Sequence, residues 1–167
     1  MRKIFLATAL LVSNFLFAQR TILHCGKLID VKSLQVLNEM TIIIEGNKIV
    51  DVQKGYAKAE ANDKVIELKD KTVMPGLIYC HVHLEGETSP DEFEKQFTDN
   101  KTDIAFKSTV YAKTTLMAGF TTVRDLGTEG AMYDDVGLKK AIEKGVIPGP
   151  RMMSLPRALA SLPNTTP

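Results

Sequence analysis

The residue types best suited to chemistry stand two apart, His81 and His83, in the stretch TVMPGLIYCHVHLEG from Thr72 to Gly86. Pro75-Gly76 opens the stretch, the apolar run Leu77-Ile78-Tyr79-Cys80 follows, and Glu85-Gly86 closes it. An apolar run of this length between turn residues has the pattern of a buried strand. Side chains two apart in a strand share a face, so both imidazoles are expected on one side and Val82 on the other. Neutral imidazole is a borderline-soft donor that suits zinc and its first-row neighbours. The alternative is a pair of polar residues at a strand end that bind nothing.

Val73-Met74-Pro75-Gly76-Leu77-Ile78 followed by His81-Val82-His83 resembles the first-strand signature of the amidohydrolase superfamily of metal-dependent hydrolases. The resemblance is strongest to the imidazolonepropionase-like and Xaa-Pro dipeptidase-like members. It runs over about residues 21 to 153 and takes in IIIEGNKIVDV, the stretch Ala118 to Asp125, and Gly149-Pro150-Arg151. It implies zinc or another divalent metal with His81 and His83 as ligands. It also implies hydrolysis of C–N bonds in a small-molecule or dipeptide-like substrate. The fold it implies is a TIM-type barrel, with functional groups at the C-terminal ends of the strands, preceded by part of a small β-sandwich. Arg124 and Asp125 stand at such an end. The resemblance implies that Arg124 helps hold an anionic substrate group; the alternative for the two residues is a strand-terminal ion pair or a capping carboxylate. The chain also departs from the family. Most members carry Asp where Tyr79 stands, and the family's further ligands (a lysine, two histidines and an aspartate) come from later strands. This chain has three histidines, and none follows His83.

The elements that must position these residues are legible in order. Thr21–Cys25, Met40–Ile44, Lys48–Val52 and Lys64–Leu68 read as strands, with a hairpin turn at Glu45-Gly46-Asn47. His24 lies in the first and is expected to be a polar strand residue rather than a ligand. Ser89-Pro90-Asp91-Glu92 has the form of a capping box with proline at the first helical position. A helix is expected from Thr102 to Met117, stopped by Gly119, with Ile104, Tyr111 and Met117 facing the core. Phe120–Val123 is the next strand, Asp135–Lys144 the next helix, and a third strand begins within Val146–Met153. Strand, helix, strand, helix, strand is βαβ logic and predicts a parallel sheet.

The expected fold class is therefore α/β, with N-terminal β-sandwich strands followed by the first two to three βα units of an incomplete TIM-type barrel. Residues 1–18 are expected to form a signal peptide, 19–70 the partial β-sandwich, 71–153 the start of the barrel, and 154–167 a divergent tail with three prolines. A (β/α)₈ barrel takes about 250 residues, and roughly 100 follow Lys71. The expectation is an N-terminal fragment of a hydrolase, inactive as it stands; the alternative is a non-catalytic remnant or small binding module.

Arg2 and Lys3 before the apolar run Ile4–Phe17, with Ala18 as a small residue before Gln19, have the form of an export signal too short for a comfortable span. The mature chain is expected to be periplasmic or extracellular, with no stable membrane span. A formal net charge of +1, with 44% hydrophobic and 25% charged residues, offers no basic stripe for nucleic acid. The two cysteines, Cys25 and Cys80, lie in different elements, so a disulfide has little support. Cys80 is expected to pack as a small hydrophobe.

Overall fold

Aliphatic and β-branched residues dominate the first part of the chain, and they form strands. The computed structural model describes residues 20–87, 89–91, 94, 98–127 and 133–155. The expected signal peptide, Glu92 of the expected capping box, and the tail beyond Leu155 lie outside the described residues. The chain divides between Pro75 and Gly76 into two compact units.

The first unit is a four-stranded sheet. Its strands are β1 (Arg20–Asp30), β2 (Gln35–Glu45), β3 (Lys48–Lys54) and β4 (Lys64–Val73), in the order β3-β2-β1-β4. The hairpins β1–β2 and β2–β3 are antiparallel, while β4 runs parallel to β1. The expected sandwich is thus represented among the described residues by this one sheet. Beyond Cys25, β4 runs two residues long against β1: Cys25 pairs with Leu68, but Lys27 pairs with Thr72. Gly26 sits opposite this irregularity, and a Cβ there would lie 2.0 Å from the Lys69 carbonyl oxygen. Only glycine fits so close a backbone approach. Cys25, Leu28, Met40 and Ile42 form the core of this unit.

His24 is buried within the sheet. Its Nδ1 lies 2.9 Å from Glu67 Oε1 and its Nε2 3.0 Å from the Ala57 carbonyl. Both ring nitrogens are engaged locally, as befits a structural residue. Thr41 secures the same connecting segment, its hydroxyl donating to the Gly55 carbonyl at 2.7 Å and accepting from the Ala57 N–H at 3.0 Å.

The second unit holds the parallel strands β5 (Leu77–Val82), β6 (Phe120–Asp125) and β7 (Arg151–Ser154), in that order. Helix α1 (Lys101–Met117) joins β5 to β6, and α2 (Asp134–Glu143) lies between β6 and β7. Asn100 caps α1, accepting from the N–H groups of Thr102 and Asp103, while the Asp103 carboxylate accepts from the Asn100 N–H. The core is Val82, Leu84, Ala112, Val123, Leu138 and Met152.

Two packing expectations are corrected here. Leu77, Ile78, Tyr79 and Cys80 do not form a buried strand; each is exposed. β5 is the edge of the described sheet, so burial begins only at Val82, where the helices cover one face. The α1 stripe also differs, since Met117 is exposed and the buried positions are Ser108 and Ala112. Small residues let α1 approach closely: a Cβ on Gly149 would lie 3.3 Å from that of Ala112 and 2.4 Å from Ile142 Cδ1.

Candidate functional site

The candidate site is built where β5 and β6 end. Val82 is buried in the core, while the rings of His81 and His83 meet at a centroid distance of 5.4 Å and an interplanar angle of 65°. His81 is exposed and His83 half-buried. The strand pairing is irregular here. Tyr79 pairs with Val123 and Val82 with Asp125, so β5 carries one residue more than β6. Extra residues of this kind commonly re-aim side chains near functional sites. The Cys80 carbonyl, inside the irregular segment, accepts from Arg124 Nε at 2.8 Å. Tyr79, half-exposed, places its ring 5.3 Å from that of Phe120.

His83 is the more constrained ligand candidate. Its Nδ1 lies 2.7 Å from the Gly127 carbonyl oxygen. A carbonyl only accepts, so Nδ1 donates and the neutral ring keeps its lone pair on Nε2. Glu85 Oε1 stands 3.9 Å from the same Nδ1, on a side chain that is nearly buried. Metal-ligating histidines usually donate their second ring N–H to a carboxylate, backbone carbonyl or water, as His83 does here. The chemistry of this pair therefore fits a divalent metal. It fits as part of a ligand set, because no group of three His, Cys, Asp or Glu that could hold an ion occurs among the described residues.

Arg124 and Asp125 do not share one role. Arg124 is exposed and hydrogen-bonded to β5 through Cys80. Asp125 is fully buried. Its Oδ2 accepts from the Leu84 N–H at 3.2 Å and its Oδ1 from the Gly127 N–H at 3.1 Å. Among the described residues no ion pair joins Arg124 to Asp125, and Asp125 caps two loop backbones. Burial pushes its carboxyl above the usual carboxylate range; the two N–H donors oppose the rise, Asp135 adds to it, and the proximity of His83 opposes it.

Sequence reasoning missed Glu85 and Asp135. Asp135 is buried at the start of α2 with neither carboxylate oxygen hydrogen-bonded. An acidic first helical turn is an ordinary dipole-favoured feature, so the pattern Asp134-Asp135 does not reveal such burial. Cys80, expected to pack, is exposed, and both cysteines are free.

The amidohydrolase family model matches residues 72–160. The chain is similar to the imidazolonepropionase of Bdellovibrio bacteriovorus, with 35% identity over 78 residues, which is 44% of this chain and 18% of that protein. It is similar to the adenine deaminase of Clostridium perfringens at 33% identity over 73 residues, 39% of this chain and 13% of the relative. Among solved structures, a Xaa-Pro dipeptidase with methionine bound in its active site superposes with a TM-score of 0.75 at 35% identity, covering 85% of this chain and 34% of that one. A prolidase complexed with N-methylphosphonate-L-proline gives 0.72 at 32% identity, covering 85% and 33%. The chain thus spans about a third of these structures and under a fifth of the curated relatives.

Proposed function

This chain belongs to the amidohydrolase family, and we propose that its His81 and His83 serve as two ligands of a divalent metal, zinc being the first candidate. The relatives it matches include deaminases and a dipeptidase, whose names describe action on C–N bonds. The observation that carries the reading is the pairing of the two imidazoles at the strand end, with His83 Nδ1 committed to Gly127 and Nε2 left for an ion. When bound, such an ion supplies Lewis acidity for C–N bond hydrolysis. The chain's own residues do the positioning: β5 carries His81 and ends at Val82, and the loops after β5 and β6 hold His83.

The substrate class is a dipeptide-like or other small C–N compound, and Arg124, exposed at the end of β6, is the residue proposed to meet an anionic group. The second unit is read as the opening of a TIM-type barrel, and the first as one sheet of a β-sandwich. Two imidazoles fall short of the three protein ligands usual for catalytic zinc, so this chain by itself is inactive. Export is part of the proposal, motivated by Arg2, Lys3, the apolar run and Ala18. No helix among the described residues is long and apolar enough to cross a membrane.

The test is turnover of dipeptides and N-acyl amino acids by the zinc-loaded 167-residue chain, beside a His81→Ala, His83→Ala control. The expected result is equal, background-level turnover, with zinc binding lost only in the control. Histidine-dependent turnover would overturn the inactivity. Zinc binding indifferent to both substitutions would overturn the ligand assignment.

A further inference from the structure

The geometry points to Asp125 as a positioning residue for His83, one that fixes which ring nitrogen of His83 is offered to an incoming ion. The inference rests on the reading of His81 and His83 as ligands.

Asp125 is fully buried and spends its two oxygens on two different loops. Oδ2 holds the N–H of Leu84, the residue immediately after His83. Oδ1 holds the N–H of Gly127, the residue whose carbonyl receives the His83 Nδ1 proton. One carboxylate therefore sets both ends of a hydrogen bond in which it takes no direct part. It fixes the backbone that carries the imidazole and the backbone that accepts from it.

The placement follows from where the ladder stops. Val82 and Asp125 are the final register partners of β5 and β6, and the Leu126 N–H reaches back to the Val82 carbonyl at 3.2 Å. Beyond that point the N–H groups of Leu84 and Gly127 have left the sheet. A buried N–H without a partner is costly, so a buried acceptor here orders both loops. Free neutral imidazole exchanges its proton between the two nitrogens. Here the Gly127 carbonyl selects the Nδ1–H form and leaves the lone pair on Nε2. Asparagine at position 125 keeps one carbonyl acceptor and can hold one loop well. Alanine holds neither.

The experiment uses the 167-residue chain with ¹⁵N-labelled histidine. Nitrogen chemical shifts of His83 are read without metal, and Zn²⁺ affinity is then measured by titration. In the wild type the proton is expected on Nδ1. In Asp125→Ala, His83 should become a mixture of tautomers and Zn²⁺ affinity should fall about 10- to 100-fold, the range for loss of an outer-shell partner. Asp125→Asn should lie between the two. A wild-type His83 protonated on Nε2 overturns the inference, and this measurement needs no variant to fold. An unchanged tautomer and affinity in folded Asp125→Ala or Asp125→Asn overturns it as well, since a merely structural aspartate would lower stability and leave the tautomer alone. Failure of the ligand reading looks different: Zn²⁺ affinity would then ignore His81→Ala and His83→Ala, whatever the tautomer of His83.

Discussion

Val123→Ala probes the packing that holds the end of β6 in place. Val123 is wholly buried among Val82, Leu84, Ala112, Leu138 and Met152, two residues from Asp125 along the same strand. The substitution removes two methyl groups from water-free surroundings, worth about 1.6 kcal/mol at ~0.8 per methylene-sized group. Incomplete collapse of the resulting cavity brings the cost to about 2 to 3 kcal/mol. Against a total of roughly 5 to 15 kcal/mol for a domain, that is a large fraction. Val110 is the control, being 60% exposed on α1. There alanine should be neutral or stabilise by up to about 0.6 kcal/mol, because it is the better helix former. Urea unfolding followed by helical circular dichroism reports this unit, since both described helices lie in it. With a slope of ~1.5 kcal/mol per molar, Val123→Ala should lower the midpoint by about 1 to 2 M. If its midpoint matches that of Val110→Ala, the core beneath the candidate site is not packed as described.

Thr41→Val keeps the shape of a fully buried side chain and deletes the bonds to Gly55 and Ala57; hydrogen exchange of the β1 and β2 amides should show a loss of about 2 to 3 kcal/mol, and unchanged protection would contradict it. Hydrogen bonds from the Arg20 guanidinium, with the Glu60 N–H adding to them, hold the Asp63 carboxyl below its ordinary value of 3.8. Asp63 therefore stabilises the fold above that value, and its contribution fades as pH falls through the lower folded value. Asp63→Asn should flatten the acid limb of a plot of thermal midpoint against pH, and an unaltered limb would show that the pair carries none of the acid sensitivity. Mass spectrometry of protein recovered from the cell envelope should find a terminus near Gln19; intact Met1 or Arg2 peptides in a cytoplasmic pool would count against export.

Periodicity and turn chemistry made much of the fold readable. The hairpin at Glu45-Gly46-Asn47 and the end of α1 before Gly119 follow from glycine and capping rules, and both glycines take positive φ. The βαβ order came from the alternation of apolar runs with helical stretches. Burial was harder to read. Leu77 to Cys80 look like core by composition, yet only a neighbouring strand or layer can bury an apolar run, and β5 is the edge of the described sheet. β1 and β4 run well past their apolar cores because pairing with neighbours, and the irregularity at Gly26, carry them through polar residues. At the site, the nearness of His81 and His83 was visible from their spacing, although the strand ends at Val82 and His83 stands just beyond it. The split between Arg124 and Asp125 was not, since it depends on which face of β6 the helices cover. The Gly127 carbonyl that orients His83 leaves no mark in side-chain chemistry at all.

The measurement closest to the central claim is a Zn²⁺ titration of the ¹⁵N-histidine-labelled chain, following His24, His81 and His83 together. One ion shared by the pair predicts that the Nε2 signal of His83 and a ring nitrogen of His81 move in step to a single equivalence point. His24, with both nitrogens engaged by Glu67 and Ala57, should stay where it is. His81→Ala or His83→Ala should each abolish the response of the remaining partner at the same Zn²⁺ concentration. Independent titration of the two imidazoles, or zinc taken up with both signals unmoved, would contradict the assignment.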